Sequence, residues 1–504
     1  MRKGLFCIPI ALAFLFVGKN GRCQSIIKNN KYTVSSSLFL STTDKLPFWL
    51  QANQYGEVPY ESQFVQLKGS VKHEYDSLYT QNKILNKFSY GYGLTGAVNA
   101  GKINQGILSE AYAKVRLGGF ELYAGRKKEI VGLVDSVMTA GSLIWSGNAL
   151  PLPKVQISLP NYISITKNDL LSVKASFAHG WFGSADSVQN YYLHQKSIYL
   201  RIGRPVWKVK IYGGFNHQVQ WAGKPVKPFY DQKTEQFITD FPSDLSTYLK
   251  VVTGTSLNKD LDAGQTKDGV PFNDAFNRAG NHLGTLDMML EFELTSGFIK
   301  LYRSNIYEDG SLYYLNNVSD GLTGISYSSK NSLPNSRRFQ LNGLNLEYLS
   351  TTNQGGSLSA LGFIPEFRGV DNYFNNGIYQ DGYTYKKRTI GTPFILPLTS
   401  YSNHFSESQL KIISPNYLVN NRINVLSLGA LGKLDETISV MLRYSTSLNK
   451  GNYRFPISKK QNSFLVNITR NQKTISYRLS IAYDNGELLP NNFGGNVTIA
   501  KSFL

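Results

Sequence analysis

Cysteine is almost missing from this sequence, and its two occurrences lie near the start. Of 504 residues, only Cys7 and Cys23 are cysteines. Both fall within an N-terminal segment that has the features of an export signal, so the processed chain would contain none. Such a chain has no disulfide framework, no thiolate nucleophile and no cysteine-ligated metal site.

That N-terminal segment has the three parts of a secretory signal peptide. A basic start (Arg2-Lys3) precedes the apolar run Leu5–Val17, and polar residues follow. The run is too short to cross a bilayer as a helix. The sequence therefore predicts a signal peptide over residues 1–23 and one exported domain over residues 24–504. Lipidation of Cys23 is an alternative, which the bulky charged side chain before it disfavours.

Long apolar runs and charged residues are also scarce. After the first 17 residues, no apolar run approaches the ~20 residues that a membrane-spanning helix needs. Charged residues make up 17% of the chain, below the roughly 25% of ordinary globular proteins. With a mean hydropathy of −0.24, the composition excludes a helical membrane protein. A transmembrane β-barrel has such a hydrophilic average because half of each strand faces a wet lumen.

Aromatic residues and alternating segments are abundant. Phe, Trp and Tyr make up 13% of the chain, and Tyr and Trp favour membrane interfaces. Between Trp207 and Trp221 apolar and polar side chains alternate, which places them on opposite faces of a strand. Similar alternation occurs over residues 171–177, 438–445, 463–469 and 475–482. A soluble β-sandwich also alternates, so the pattern alone leaves both classes open.

The spacing of the connections favours a membrane barrel over a sandwich. Long and short connections alternate, as they do when one rim faces outside and the other faces the periplasm. The long ones include Ala222–His282 and Ile306–Arg338, and the short ones include Gly203–Val206 and Ser296–Gly297. The alternation continues through Phe363–Ser414 only with an extra strand near Tyr383–Gly391. We therefore predict an all-β, antiparallel transmembrane barrel of about 16–20 strands.

One short helix is predicted inside the longest loop. Apolar residues recur at helical spacing at Leu245, Tyr248, Leu249 and Val252. Ser243 can cap the start, and Gly254 is suited to the end. We expect this helix to pack on the barrel mouth, either as a lid or binding surface or as a structural plug.

The chain is strongly basic, with a formal net charge of +19 at pH 7. Removal of the four basic residues of the predicted signal peptide leaves +15. A surplus this large implies an anionic partner, such as an acidic glycan, a lipid headgroup or nucleic acid. Export disfavours nucleic acid. The alternative is a lumenal or periplasmic-side charge set that has no ligand.

Motifs for catalysis are missing as well. The six histidines lack metal-ligand spacing, no glycine-rich phosphate loop opens a helix, and no nucleophile-elbow motif occurs. His217 lies on the apolar face of its strand and is interpreted as a packing histidine. The pair Glu291 and Glu293 more simply balances lumenal lysines than forms a glycosidase pair. The sequence predicts no enzyme, no cofactor and no metal site, although a hydrolase site assembled from distant strands remains an alternative.

Residues suited to carbohydrate are plentiful in the predicted loops. Sugar rings stack on aromatic side chains, and acidic sugars also require Arg or Lys. One cluster lies over residues 373–388, rich in Tyr, Asn, Lys and Arg, and another lies over residues 302–314. The sequence therefore points to glycan binding at the loops.

Five segments together resemble the Wzi capsule-assembly family in its Bacteroidetes-like form. They are Leu46–Gly56, Asn148–Val155, Gly280–Gly284, Tyr307–Ser311 and Gln380–Gly391. The resemblance implies an outer-membrane barrel of about 18 strands that acts as a lectin-like anchor for capsular or exopolysaccharide, without catalysis. The family's helical region at the periplasmic side has no counterpart here, because the chain moves quickly into the strand-like Tyr32–Ser41.

From these motifs and loops we predict twelve polysaccharide-binding residues. They are Trp49, Asn53, Trp145, Asn148, Arg303, Tyr307, Glu308, Asp381, Tyr383, Tyr385, Lys386 and Arg388. The expected partners are an acidic capsular or exopolysaccharide, outer-membrane lipid and the barrel-assembly machinery, whose targeting signal the apolar end at Phe503-Leu504 resembles. The alternative function is a passive outer-membrane porin without a glycan role.

Overall fold

The structure is a computed structural model, and it describes most of the chain. The described residues are 30–75, 79–80, 83–84, 88–258, 269–308, 316–330, 339–355, 371–413 and 418–503. The predicted signal peptide and the motif residues Asp309–Ser311 lie outside these ranges.

Eighteen antiparallel strands, numbered β1–β18, form one closed sheet. They are β1 Asn30–Ser41, β2 Phe64–His73, β3 Phe88–Gly101, β4 Gln105–Leu117, β5 Phe120–Arg126, β6 Lys154–Ser164, β7 Leu171–Gly183, β8 Tyr191–Ile202, β9 Val209–Trp221, β10 Asn281–Glu293, β11 Gly297–Glu308, β12 Gly321–Ser329, β13 Gln340–Ser350, β14 Ile423–Lys433, β15 Ile438–Gly451, β16 Pro456–Gln472, β17 Ile475–Gly486 and β18 Asn492–Phe503.

Pairing of the first and last strands closes the barrel. Tyr32 of β1 lies opposite Phe503 of β18, and the ladder continues to Ser41 opposite Gly494. The predicted antiparallel barrel of about 18 strands is confirmed. Closure removes the exposed sheet edges that would otherwise leave backbone groups unpaired in a membrane.

The prediction of one long loop over Ile306–Arg338 was wrong. Strand β12 lies within the segment Ile306–Arg338 and pairs on both sides with β11 and β13. The extra strand expected near Tyr383–Gly391 does not join the barrel, because that segment forms a separate hairpin whose strands are Thr384–Tyr385 and Arg388–Thr389. Strand β12, and not the segment near Tyr383–Gly391, is therefore the additional strand that makes the total even.

The outer wall of the barrel carries the apolar half of the alternation. In β9, Val209 and Ile211 are exposed, whereas Lys210 and Tyr212 face the lumen and are buried. The same holds in β17, where Leu479 is exposed and Ser480 is buried. This apolar band suits contact with lipid chains.

The two rims of the barrel differ in their connections. The four longest connections, 42–63, 127–153, 222–280 and 351–422, all lie at one rim, here called the outer rim. Two-residue turns occur at the opposite, inner rim, as at 118–119 and 473–474. In barrels of the outer membrane the long loops face outside.

Four α-helices lie within the outer-rim loops. They are α1 Phe48–Gln51, α2 Leu245–Thr253, α3 Phe272–Phe276 and α4 Glu407–Ile412, with 3-10 turns at Leu398–Ser400 and Ser402–His404. Short two-stranded pairs join Tyr79–Thr80 to Lys83–Ile84, Val188–Gln189 to Lys224–Pro225, and Phe229–Asp231 to Gln236–Ile238. None of the described helices is long and apolar enough to cross a membrane.

Helix α2 is the predicted helix, with one correction to its start. Asp244, rather than Ser243, is the N-cap, and its side chain accepts a hydrogen bond from the Thr247 amide. Gly254 ends the helix in the left-handed conformation, with φ of 67°, as predicted. The helix packs against the outside of the barrel wall, and not on the mouth as expected.

Three of the outer-rim loops fold into the lumen and form a plug. Its core is made of large side chains that are fully or almost fully buried, among them Trp49, Leu143, Ile144, Tyr373, Phe374, Tyr383 and Tyr401. In the inner half of the lumen Lys174 and Arg478 remain exposed. The barrel is therefore filled toward the outer rim and more open toward the inner rim.

Candidate functional site

The plug and the barrel wall meet at the outer rim across a groove of about 380 Å³, here called the rim groove. Its charged and aromatic lining residues are Tyr60, Glu61, Arg126, Lys386, Lys387 and Arg388. The wall contributes the start of β4 and the end of β5, and the plug contributes the rest. Four cationic side chains and one carboxylate thus line one concave surface.

The hairpin that carries the two lysines has an unusual turn. Its strands pair Thr384 with Thr389 and Tyr385 with Arg388, so Lys386 and Lys387 form a two-residue loop. Both have positive φ, 50° and 61°. A type I′ turn needs this geometry and normally uses Asn or Gly, because a side chain with a Cβ is strained there. Lys386 and Lys387 keep this strained backbone conformation and are exposed at the groove. Strained backbone conformations of this kind cluster at functional sites.

Arg126 links the wall to this hairpin. Its guanidinium donates to the Tyr385 hydroxyl at 2.8 Å and to the Leu108 carbonyl at 3.2 Å. The Lys386 ammonium lies 5.8 Å from the centre of the Tyr385 ring, and the Arg126 guanidinium lies 5.7 Å from it. Cation–π attraction therefore holds both cations at one ring.

Arg388 is the buried floor of the groove. Its guanidinium donates to the Gln51 side chain at 2.8 Å and to the Val58 carbonyl at 2.5 Å, and it stacks 4.0 Å above the Tyr60 ring. Burial lowers the pKa of the Arg388 guanidinium, while Tyr60 and Glu61 oppose this change. The guanidinium nevertheless stays charged, because arginine does not deprotonate in proteins. Arg388 thereby joins the 42–63 loop to the hairpin.

The exposed cations of the groove differ from those deeper in the plug. Deeper in, Lys68 and Lys128 both pair with Glu57. Burial acts to raise the pKa of the Glu57 carboxyl, but the two lysines outweigh it and lower the pKa. In the part of the chain that the structure describes, neither Lys386 nor Lys387 forms an ion pair. Their charge is available to an anion from outside.

Four of the predicted binding residues lie inside the plug. The Trp49 indole donates to Ser445 at 3.1 Å, and the Trp145 ring lies 4.9 Å from the Lys154 ammonium. Asn148 accepts from the Asn53 amide at 3.2 Å and donates to the Thr389 carbonyl at 3.0 Å. The contacts of Trp49 and Trp145 join the plug to the barrel wall, and those of Asn148 join separate loops of the plug.

Three further predicted residues, Glu308, Asp381 and Tyr383, are also buried. Glu308 accepts from the Phe374 amide, and Asp381 accepts from the Ser187 amide, both at 2.6 Å. The Tyr383 side chain is fully buried. All three lie where the plug meets the rim loops and are removed from solvent.

Arg303 and Tyr307 lie on the outer wall, on strand β11. The Arg303 guanidinium donates to the carbonyls of Val318 and Asp320 at 2.9 and 2.7 Å. The Tyr307 hydroxyl lies 2.6 Å from His217 Nδ1. The structure thus places Lys386 and Arg388 in the groove, with Tyr385 buried beside it against Arg126, and places Arg303 and Tyr307 elsewhere.

Three charged or aromatic lining residues of the rim groove, Arg126, Tyr60 and Glu61, were not among the candidates from the sequence. Arg126 ends a strand far from the hairpin in sequence, and Tyr60 lies just outside the first motif. The basic run Arg126-Lys127-Lys128 directly after an alternating strand is the one signal that could have marked this position.

Comparisons with known proteins agree with this architecture. The model of the family "Capsule assembly protein Wzi" matches residues 47–395. Among solved structures, Wzi of Escherichia coli, described as an outer-membrane carbohydrate-binding β-barrel involved in group 1 capsule assembly, is 13% identical. That match covers 94% of this chain and 84% of the other, with a TM-score of 0.58.

Two further solved structures show lower similarity. OccK5 of Pseudomonas aeruginosa is 6% identical, covers 94% of this chain and 98% of its own, and has a TM-score of 0.43. A BenF-like porin from Pseudomonas fluorescens is 9% identical with the same coverage and a TM-score of 0.44. Among curated protein sequences, none matches.

Proposed function

Because the chain belongs to the Wzi capsule assembly family, we propose that it is an exported outer-membrane barrel that binds an acidic capsular or exopolysaccharide and anchors it at the cell surface. The cationic rim groove is the observation that carries this proposal. It opens at the rim of long loops, where a surface glycan would approach.

The chemistry of the groove suits an acidic sugar. Lys386 and Lys387 supply exposed ammonium groups, and Arg126 supplies a planar guanidinium, the geometry that matches a carboxylate. Charge-assisted hydrogen bonds of this kind are roughly twice as strong as neutral ones. Of the predicted binding residues, Lys386 remains our candidate for direct contact, whereas the buried Tyr385 would hold Arg126 in place. Arg388 and the plug residues would position the groove.

Binding is favoured over cleavage at this site. Glycosidases of the common classes need two carboxyl groups on either side of the scissile bond. Among the described residues that line the groove, Glu61 is the single carboxylate. This composition supports a lectin-like role.

The porin alternative receives less support from the lumen. The packed side chains of the plug, with Tyr373 and Phe374 fully buried among them, stand in the path of a solute at the outer half of the barrel. Lumenal charges alone do not make a channel when apolar residues fill the passage.

A deletion strain tests the proposed function. Surface polysaccharide is measured as cell-bound and released fractions after complementation with the wild-type chain, with the double variant K386Q/K387Q, or with K411Q as a matched control on α4. We expect deletion and the double variant to shift glycan into the medium at constant total, and K411Q to restore retention. Unchanged cell-bound glycan in the deletion strain would refute anchoring. Full retention by the double variant would refute the groove as the site.

Export is a separate part of the proposal. We propose cleavage after Cys23 and insertion of residues 24–504 as one barrel, with the C-terminal strand β18 as the signal for the barrel-assembly machinery. Mass spectrometry of the protein from outer membranes measures the N-terminus directly. A chain that begins at Gln24 supports this cleavage, and a lipid-modified Cys23 would favour the alternative.

A further inference from the structure

A polar patch lies on the outer wall of the barrel, where lipid contact is expected. His179, His194 and His282 lie in one row across β7 to β10, since His194 pairs with both His179 and Val219, and Val219 pairs with His282. Lys196 and His217 form the next pair below. These residues share the face of the wall that also carries exposed Ile198, Ile211 and Leu286.

This patch lies below a row of aromatic residues. Trp181, Tyr192 and Trp221 pair across β7, β8 and β9, as in the girdle of a membrane barrel. Lys196 is four residues further along β8 than Tyr192, about 13 Å along the strand on the membrane side of the girdle. An ammonium or imidazole exposed to lipid at this depth is costly.

Helix α2 and the segment after it cover the patch. The Tyr248 ring lies 5.2 Å from Trp221 and 5.7 and 5.8 Å from His179 and His194. At the other end of the helix, the Lys196 ammonium donates to the Val252 carbonyl. The helix therefore runs from the aromatic girdle down to the level of Lys196.

The segment that follows α3 provides a hydrogen-bond acceptor for His282, which in turn bonds to His217. His217 Nε2 lies 3.0 Å from His282 Nδ1, and His282 Nε2 lies 2.9 Å from the Ala279 carbonyl. With the Tyr307 hydroxyl at the other side of His217, this makes a continuous hydrogen-bonded chain. The polar groups of the patch therefore bond to the covering loop and to one another, and not to lipid.

On the side that faces away from the wall, the cover exposes two leucines together with the small polar residues Ser246 and Thr253. Leu245 and Leu249, one helical turn apart, are 72% and 57% exposed. The opposite side buries Thr247 and Val251 against the barrel. A helix that faced water would place charged or large polar residues at the centre of this side, where α2 has its leucines. The two leucines instead continue the apolar band of the wall over the polar patch.

We propose that α2 lies in the outer leaflet of the membrane, where Leu245 and Leu249 contact the acyl chains of lipids while the helix shields the polar patch. The occupant of this surface is membrane lipid, because the helix is seated on the lipid-facing wall and reaches below the aromatic girdle. Helices with one face buried in the acyl boundary lie 5–10 Å deep in other membrane proteins. This inference does not depend on glycan binding.

Site-directed spin labelling tests the position of the helix. In a background of C7S and C23S, a nitroxide is attached to L249C or L245C, and the barrel is reconstituted in phospholipid vesicles. The accessibility of the label to oxygen, which partitions into lipid, is compared with that to a water-soluble nickel chelate. L286C on the bare wall serves as the lipid reference, and S408C on exposed α4 serves as the aqueous reference.

We expect the ratio of oxygen to nickel accessibility at L249C to lie within about twofold of that at L286C. A ratio like that of S408C would overturn the proposal, because the leucines would then face water or an aqueous ligand. Low accessibility to both reagents would also overturn it, since a second copy or another protein would cover the helix. The L245C label decides the question independently if L249C fails to fold.

Discussion

At the scale of single residues, Arg126 should determine affinity for the acidic glycan. Its guanidinium is held by Tyr385 and remains without a carboxylate partner among the described residues. Loss of a charge-assisted bond costs about 1.5 kcal/mol or more, so R126Q should weaken binding of a purified acidic oligosaccharide about tenfold. R478Q, which removes an exposed arginine of the inner lumen, is the matched control. Equal affinity of both variants in calorimetry would exclude Arg126 from the site.

The turn lysines should show a conflict between stability and binding. Replacing Lys386-Lys387 by Asn-Gly relieves two positive φ values in a type I′ turn. The variant should gain roughly 0.5–1 kcal/mol in stability and lose affinity for acidic glycan. K473G removes a similar strain, φ of 49°, at the inner rim. It should therefore stabilise the barrel with no change in binding, as measured by thermal unfolding and glycan titration.

The sequence placed three candidate residues in one hairpin but gave no sign of the residues that approach this hairpin from elsewhere in the chain. Tyr385, Lys386 and Arg388 come together because they are neighbours in one short motif. Arg126 could not be found, because its contact with Tyr385 joins residues 259 positions apart. The motif around Trp49 marks a buried anchor of the plug, since a family pattern records residues that hold loops together as well as residues that touch a ligand.

At the scale of single elements, the cap of α2 can be tested directly. Asp244 accepts a hydrogen bond from the Thr247 amide at 3.0 Å, whereas Ser243 is not the N-cap. D244A should destabilise the helix by about 1 kcal/mol, and S243A should have little effect. Hydrogen exchange of the amides of residues 245–253 measures the difference. Equal protection in the two variants would mean that the cap contributes nothing.

Helix α3 should make its loop sensitive to pH. Burial raises the pKa of the Asp274 carboxyl to about 7, and the nearby Asp231 adds to the effect, against an ordinary value of 3.8. The folded loop thus holds the proton more tightly than the unfolded loop. Its stability is greatest at low pH and falls by a few kcal/mol between about pH 4 and 7. Hydrogen exchange in the loop should reveal the loss between about pH 4 and 7, and D274N should abolish the dependence.

Whether a strand could be predicted depended on how regularly its apolar and polar side chains alternate. Strand β9 was found because apolar and polar side chains alternate through most of its length. Strand β12 was missed because Gly321–Ser329 contains three serines and two glycines, which weaken the apolar signal. The position of α2 was predicted wrongly because an apolar stripe shows that a helix packs on a surface but not on which surface. Only the strand register shows that one face meets the outer wall.

At the scale of the whole molecule, the sequence indicated a barrel but not its filling. Alternation is a local property that the chain shows directly, and the alternation of long and short connections favoured a barrel. The plug depends on contacts between loops distant in sequence, such as Asn148 with Thr389 and Arg388 with Gln51. Such loops have no repeating pattern, so their inward fold could not be read from the chain.

The conductance of the plugged barrel distinguishes an anchor from a channel. The purified wild-type barrel should conduct little in planar bilayers, because packed side chains fill the outer half of the lumen. Trp49 is only 2% exposed and bonds to Ser445 of the wall. W49A should destabilise the plug by about 3–5 kcal/mol and raise conductance, while W207A in the inner-rim connection before β9 should not. High conductance of the wild type would favour a channel. Low conductance of W49A would mean that the remaining loops close the lumen alone.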